Sequence, residues 1–257
     1  MLNIKIKKQS KSSMKNIFLF ILLIGLYNCD VNDCFESTGK IIQKEIELDL
    51  FEKIEVGNEV TLIIKQGASQ KVVIETGENL IDNVTIEVID DELFIKDESS
   101  CNLSRDYAVT KVFITSPNIK IIRSNTARLI KSDGVLNYNN LILISEDFNK
   151  DALNIGDFNI NINSQTLSIT SNGSSLFTIK GNVQNLQVGF YSGSSRFIGE
   201  ELIANNVNIV QKSSNDILIN PQNQIKGNIY SIGDVISYNH PPIVEVEEHY
   251  SGKLIFE

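Results

Sequence analysis

The chain has 257 residues, 23 basic and 32 acidic, with two histidines, no tryptophan and a formal net charge of −9. Five of its lysines (Lys5, Lys7, Lys8, Lys11 and Lys15) and none of its acids precede residue 29, so the 229 residues from Cys29 onward carry 18 basic against 32 acidic groups, a formal −14. A body that acidic repels phosphate backbones, which argues against nucleic acid as a partner, and it is long enough for a sizeable core in one or two domains.

The first element is an apolar run, IFLFILLIGLY at residues 17–27, with Lys15 before it and Cys29 two residues after it. Basic flank, short apolar stretch and cleavage site are the order of a secretory signal. Eleven residues are too few to cross a hydrocarbon core of roughly 30 Å. Leu26-Tyr27-Asn28-Cys29 resembles a lipobox, in which the lipidated cysteine becomes the new N-terminus; Asn28 and Tyr27 depart from the usual small residues, and the position of Cys29 carries the reading. We therefore expect a signal peptide over 1–28, with Met14 a better initiator than Met1, and a lipidated leader over 29–40. No second apolar run can span a bilayer, so the membrane is engaged by lipid, at about 0.8 kcal/mol per buried methylene. The expected location is the cell envelope, on the outer membrane, facing the periplasm or the exterior.

With Cys29 acylated, Cys34 and Cys101 remain. Export places them in an oxidising compartment, where a Cys34–Cys101 disulfide is expected to pin the leader onto the body; two free thiols are the alternative.

From about residue 41 the text is β. Lys53–Val56, Val60–Lys65, Lys71–Thr76, Val84–Ile89 and Glu92–Lys96 are short and rich in Val and Ile, divided by Gly57-Asn58, Gly67-Ala68-Ser69, Gly77-Glu78-Asn79 and Asp90-Asp91. No 3.6-residue period persists for a helix length after the signal. Phe158, Ile160 and Ile162 alternate with Asn159, Asn161 and Asn163, one face buried and one polar.

The second half repeats. Gly173-Ser174-Ser175 recurs 20 residues on as Gly193-Ser194-Ser195, then as Ser213-Ser214-Asn215, then as Gly233-Asp234. Each turn precedes a short apolar strand (Phe177 and Ile179; Phe197 and Ile198; Ile217 and Ile219; Val235 and Ile236), and a second strand follows at Leu186, Val207 and Ile229. Ser124-Asn125-Thr126-Ala127 reads as a degenerate upstream copy. A fixed period near 20 residues with paired short strands is the pattern of one coil of a β-solenoid, which buries its apolar face by stacking on the next coil. Gly173, Gly193 and Gly233 are expected at φ > 0, and equivalent Asn or Ser side chains to form ladders. The expected fold is an all-β, right-handed parallel β-solenoid, with an N-terminal half over 41–118 and a C-terminal half over 119–257; a two-sheet β-sandwich is the alternative.

Phe51–Val56, Val60–Gly67, Val72–Thr76, Asn79-Leu80-Ile81, Asp91–Lys96 and Val112–Ile119, followed by the Gly-Ser-Ser turns and a closing Gly233-Asp234-Val235 with Tyr238, Pro241 and Pro242, stand in an order that resembles the auto-transporter adhesin head family, the GIN domain. The resemblance covers roughly residues 40–257. It implies an extracytoplasmic β-helical protein, often lipid-anchored, in bacteria of the Bacteroides–Flavobacterium type.

Chemistry is sparse. His240 precedes Pro241-Pro242 and His249 sits beside Glu247 and Glu248; neither has partners at metal-ligand spacing. The acids at Asp90-Asp91, Glu146-Asp147, Asp151 and Asp157 match no calcium loop. No serine sits in a nucleophile elbow. No metal, cofactor or catalytic residue is expected. Arg105, Arg123, Arg128 and Arg196 are the arginines that a polysaccharide lyase or hydrolase on such coils would draw on, and that enzyme is the rival reading. The reading preferred is non-enzymatic adhesion, scaffolding or envelope binding, with a surface glycan or protein as ligand. Phe190-Tyr191 and Phe197 are the aromatic cluster nearest to a glycan platform.

Overall fold

The computed structural model describes residues 37–99, 109–146 and 153–257. Cys29, Cys34, Cys101, Arg105 and the signal segment lie outside the described residues. Ten strands come first: β1 (Ile41–Ile46), β2 (Lys53–Val56), β3 (Thr61–Gln66), β4 (Lys71–Gly77), β5 (Val84–Ile89), β6 (Glu92–Asp97), β7 (Lys111–Ser116), β8 (Ile121–Ser124), β9 (Ile130–Leu136) and β10 (Asn140–Ser145). Four long strands follow: β11 (Phe158–Ser171), β12 (Leu176–Phe190), β13 (Arg196–Gln211) and β14 (Ile217–Ile229). Then come β15 (Val235–Ser237), β16 (Ile243–Glu248) and β17 (Leu254–Phe256). Among the described residues there is no α-helix, only one 3₁₀ turn at Ile81–Asn83. The all-β expectation holds.

The 17 strands join in one hydrogen-bonded sheet that curls over two faces and stays open at its ends. On one face, β3, β9, the first halves of β11 to β14, then β15 and β17 pair in parallel. On the other, β6, β2, β8, β10, the second halves of β11 to β14 and β16 do the same. Each long strand therefore bends from one face to the other, and a turn returns the chain one level up. Antiparallel pairing is confined, among the described residues, to β1 on β4, β4 on β7 and β5 on β6. A sandwich of hairpins is thus not what forms, although two layers do face each other.

Parallel register puts like on like. Phe158, Phe177, Phe197, Ile217 and Val235 form one buried column, and Leu167, Leu186, Val207 and Ile225 another. The period-2 alternation read from Phe158 to Asn163 sends these side chains inward and the asparagines out. Phe158 stacks on Phe177 at 4.7 Å and 10°, and Phe177 meets Phe190 at 5.9 Å, geometry that contributes about 0.5–1.5 kcal/mol per pair beyond area burial.

The Gly-Ser turns sit at the corner that returns the chain. Gly193 has φ +78, and a Cβ there would lie 2.1 Å from the Gly173 carbonyl oxygen of the coil below. Gly173 and Gly233 do not have positive φ, contrary to expectation. Close approach selects them instead: a Cβ would meet the Asn154 or Asn215 carbonyl oxygen at 2.2 Å.

Candidate functional site

The predicted turn residues form a hydrogen-bonded spine. Ser194 N–H donates to the Gly173 carbonyl at 2.8 Å and Ser214 N–H to the Gly193 carbonyl at 3.0 Å. Outside, Ser194 Oγ donates to Ser174 Oγ at 2.8 Å, and Ser214 Oγ reaches the Gly193 carbonyl at 3.4 Å. Inside, Ser195 Oγ meets Ser171 Oγ at 2.7 Å and accepts from Ser175 N–H at 3.1 Å, while Ser213 Oγ donates to the Ser195 carbonyl at 2.6 Å. Asp234 accepts from Lys253 N–H at 2.8 Å and closes the corner against the last turn. These groups satisfy one another, as buried polar groups must. They hold one coil to the next.

The opposite corner differs. Where the long strands bend, amides line a groove of about 640 Å³ that runs across successive coils, through Asn139, Gln165, Gln184, Asn205 and Gln222. Two flanking ladders are closed on themselves. Asn182 donates to Asn163 at 3.2 Å and Asn163 to Asn137 at 3.2 Å. On the other side Asn223 donates to Asn206 at 2.9 Å and Asn206 to Asn185 at 3.1 Å. Between them the side-chain amides of Asn139, Gln165, Gln184 and Asn205 bond to no protein group among the described residues. Ile203, 42% exposed, interrupts one ladder and gives the floor an apolar spot. Beneath the mouth, Tyr138 is buried with its hydroxyl donating to the Ser116 carbonyl at 3.2 Å, and burial pushes its phenol well above the usual range. Among the described residues, the groove lining contains no ionisable side chain.

The other candidates do not converge. Arg128 Nε bonds Glu59 at 3.0 Å, Arg123 lies 4.0 Å from Glu55 and Arg196 3.8 Å from Asp216, each a partner on an adjacent coil. His249 stacks on Tyr230 at 4.5 Å and meets Asn228 Oδ1 at 2.8 Å; His240 stacks on Phe256 at 4.2 Å. Among the described residues no group of three His, Cys, Asp or Glu could hold a metal ion. Asp90 and Asp91, at φ 50 and 68, form the two-residue turn between β5 and β6. Asp147 and Asp151 lie outside the described residues, and Asp157 accepts from Leu176 N–H at 3.2 Å. Phe190 and Phe197 are core side chains, with Tyr191 half-exposed beside them. Burial raises the Glu146 carboxyl, with Arg123 opposing that shift. The groove's signal was present in the sequence as Asn163, Asn182 and Gln165, Gln184, Asn205, amides recurring at the coil step, but which amides close on each other is set by side-chain geometry at the bend.

Fold and site define a class: an all-β stack of coils that presents an uncharged amide groove. The model of the family described as "Putative auto-transporter adhesin, head GIN domain" matches residues 50–241, and the chain belongs to that family. A "putative adhesin" from Bacteroides fragilis is similar in structure, with a TM-score of 0.76 and 20% identity over 86% of this chain and 100% of that one. A "Putative lipid binding protein" from Parabacteroides distasonis gives a TM-score of 0.59 and 17% identity over 86% and 99%. A second P. distasonis protein, a "putative adhesin", gives 0.62 and 15% over 86% and 100%. At these identities the likeness is one of fold. No curated protein sequence matches the chain.

Proposed function

We propose that the chain is an exported, lipid-anchored module of the bacterial cell envelope that adheres or scaffolds by binding and does no chemistry of its own. One observation carries this reading: a groove of about 640 Å³ whose lining, among the described residues, holds neutral amides, a hydroxyl and aliphatic side chains, and no acid, base or paired nucleophile. Catalysis by proton transfer needs a titratable group within hydrogen-bond reach of the reacting atom. The family description as an adhesin head supports the same reading, whereas nothing specific favours a lyase or hydrolase. In this reading Cys29 carries the lipid, Cys34 and Cys101 pair, and the outer membrane displays the body to the periplasm or the exterior. The winding of the halves 41–118 and 119–257 is right-handed, the hand that parallel crossover connections take in about 98% of cases.

The test has two parts. Mass spectrometry of the membrane-extracted protein should find Cys29 as an acylated N-terminus, and deleting the chain should reduce adherence of intact cells. A free, unmodified N-terminus upstream of Cys29 in the membrane fraction would remove the anchor, and unchanged adherence would remove the adhesive role.

A further inference from the structure

The open amide column narrows the ligand class of that groove, and this inference rests on the binding reading above. Asn139, Gln165, Gln184 and Asn205 occupy one column, coil over coil, flanked by ladders whose amides are already engaged with one another. Parallel pairing spaces them by about 4.7–4.9 Å. Each free amide offers two N–H donors and one carbonyl acceptor. A ligand that uses them all must present alternating acceptors and donors at the same repeat, in a line parallel to the stack. A linear chain of pyranose sugars does so: its residues repeat at close to that distance, and each bears hydroxyls that both donate and accept. The sugar ring's C–H face suits the exposed apolar spot of Ile203. Charge selects further. The groove supplies no cation among the described residues, and the chain from Cys29 onward carries a formal −14, so uronate, sulfate or phosphate groups are repelled.

We propose that the groove binds a neutral linear polysaccharide lying along the stack axis, read by the column Asn139, Gln165, Gln184 and Asn205. The flanking ladders, Asn137–Asn163–Asn182 and Asn185–Asn206–Asn223, are the rigid walls that space this column.

The test titrates the full chain with chitohexaose, cellohexaose and a linear mannan, and with polygalacturonate as the acidic control, at low and high salt. One of the neutral glycans binds with little salt dependence. The triple variant Gln165→Ala, Gln184→Ala and Asn205→Ala, whose amides bond to no protein group among the described residues, weakens that binding by about tenfold or more, from the loss of several hydrogen bonds, with an unchanged melting temperature. Binding of polygalacturonate instead, loss of binding at high salt, wild-type affinity in the triple variant, or no binding of any neutral glycan overturns the proposal. Failure here is distinguishable from failure of the adhesive role: if deletion of the chain lowers adherence while no neutral glycan binds, only the ligand class falls.

Discussion

Replacing Gly193 by alanine tests how the coils are spaced. Its φ of +78 costs an L-residue about 1–2 kcal/mol. The new Cβ would stand 2.1 Å from the Gly173 carbonyl oxygen, so the turn must lift, and the 2.8 Å bond from Ser194 N–H to that same oxygen stretches or breaks. That loss adds about 1 kcal/mol. The expected destabilisation is about 3 kcal/mol, which for a domain of this size lowers Tm by about 6–12 °C. Gly134 is the internal control. Its φ is +87, yet nothing lies within 4 Å of a Cβ built there. Gly134→Ala should show the conformational cost alone, about 1–2 kcal/mol. Thermal unfolding followed by far-ultraviolet circular dichroism separates the two. If Gly193→Ala melts at or above Gly134→Ala, the close approach of successive turns is not what selects glycine.

Phe177→Ala, which removes the ring between Phe158 and Phe190, should cost about 3–5 kcal/mol in denaturant titration. Ser195→Ala strips Ser171 Oγ and Ser175 N–H of a buried partner and should cost about 1–3 kcal/mol by the same titration, whereas exposed Ser194→Ala should cost less. The half-buried Glu75 carboxyl is held below the usual carboxylate range by hydrogen bonds from Lys111 and Gln43. A depressed carboxylate contributes stability that is present above its unfolded pKa and lost as pH falls through the folded one. Acid unfolding of Glu75→Gln should accordingly show a smaller stability loss between neutral and acidic pH than wild type.

Much of the body was legible because a parallel stack writes itself as a repeat. The 20-residue step of Gly173, Gly193, Ser213 and Gly233 fixed the turns, and the strands expected at 53–56, 84–89 and 92–96 match β2, β5 and β6 to within a residue. Composition could not separate the two reasons for glycine, since a positive φ at Gly193 and a close neighbour at Gly173 select the same residue. Nor did local pattern reveal that β1, β4 and β5 pair antiparallel at one end, because alternation is the same in either sense of pairing. The arginines looked like a set in the sequence. Arg123, Arg128 and Arg196 instead answer a carboxylate across an adjacent coil, a relation set by register rather than by spacing. For the groove, the amides were visible as recurrent Asn and Gln. Which of them are spent on each other depends on side-chain geometry at the bend.

The uncharged groove across this stack of coils is the proposed adhesive surface. Its most direct test is adherence of cells carrying either the wild-type chain or the triple variant Gln165→Ala, Gln184→Ala and Asn205→Ala, at equal surface levels, to a surface coated with the neutral glycan that binds the purified protein. Adhesion through the groove predicts that the variant cells adhere no better than cells lacking the chain. Adherence equal to wild type would contradict it.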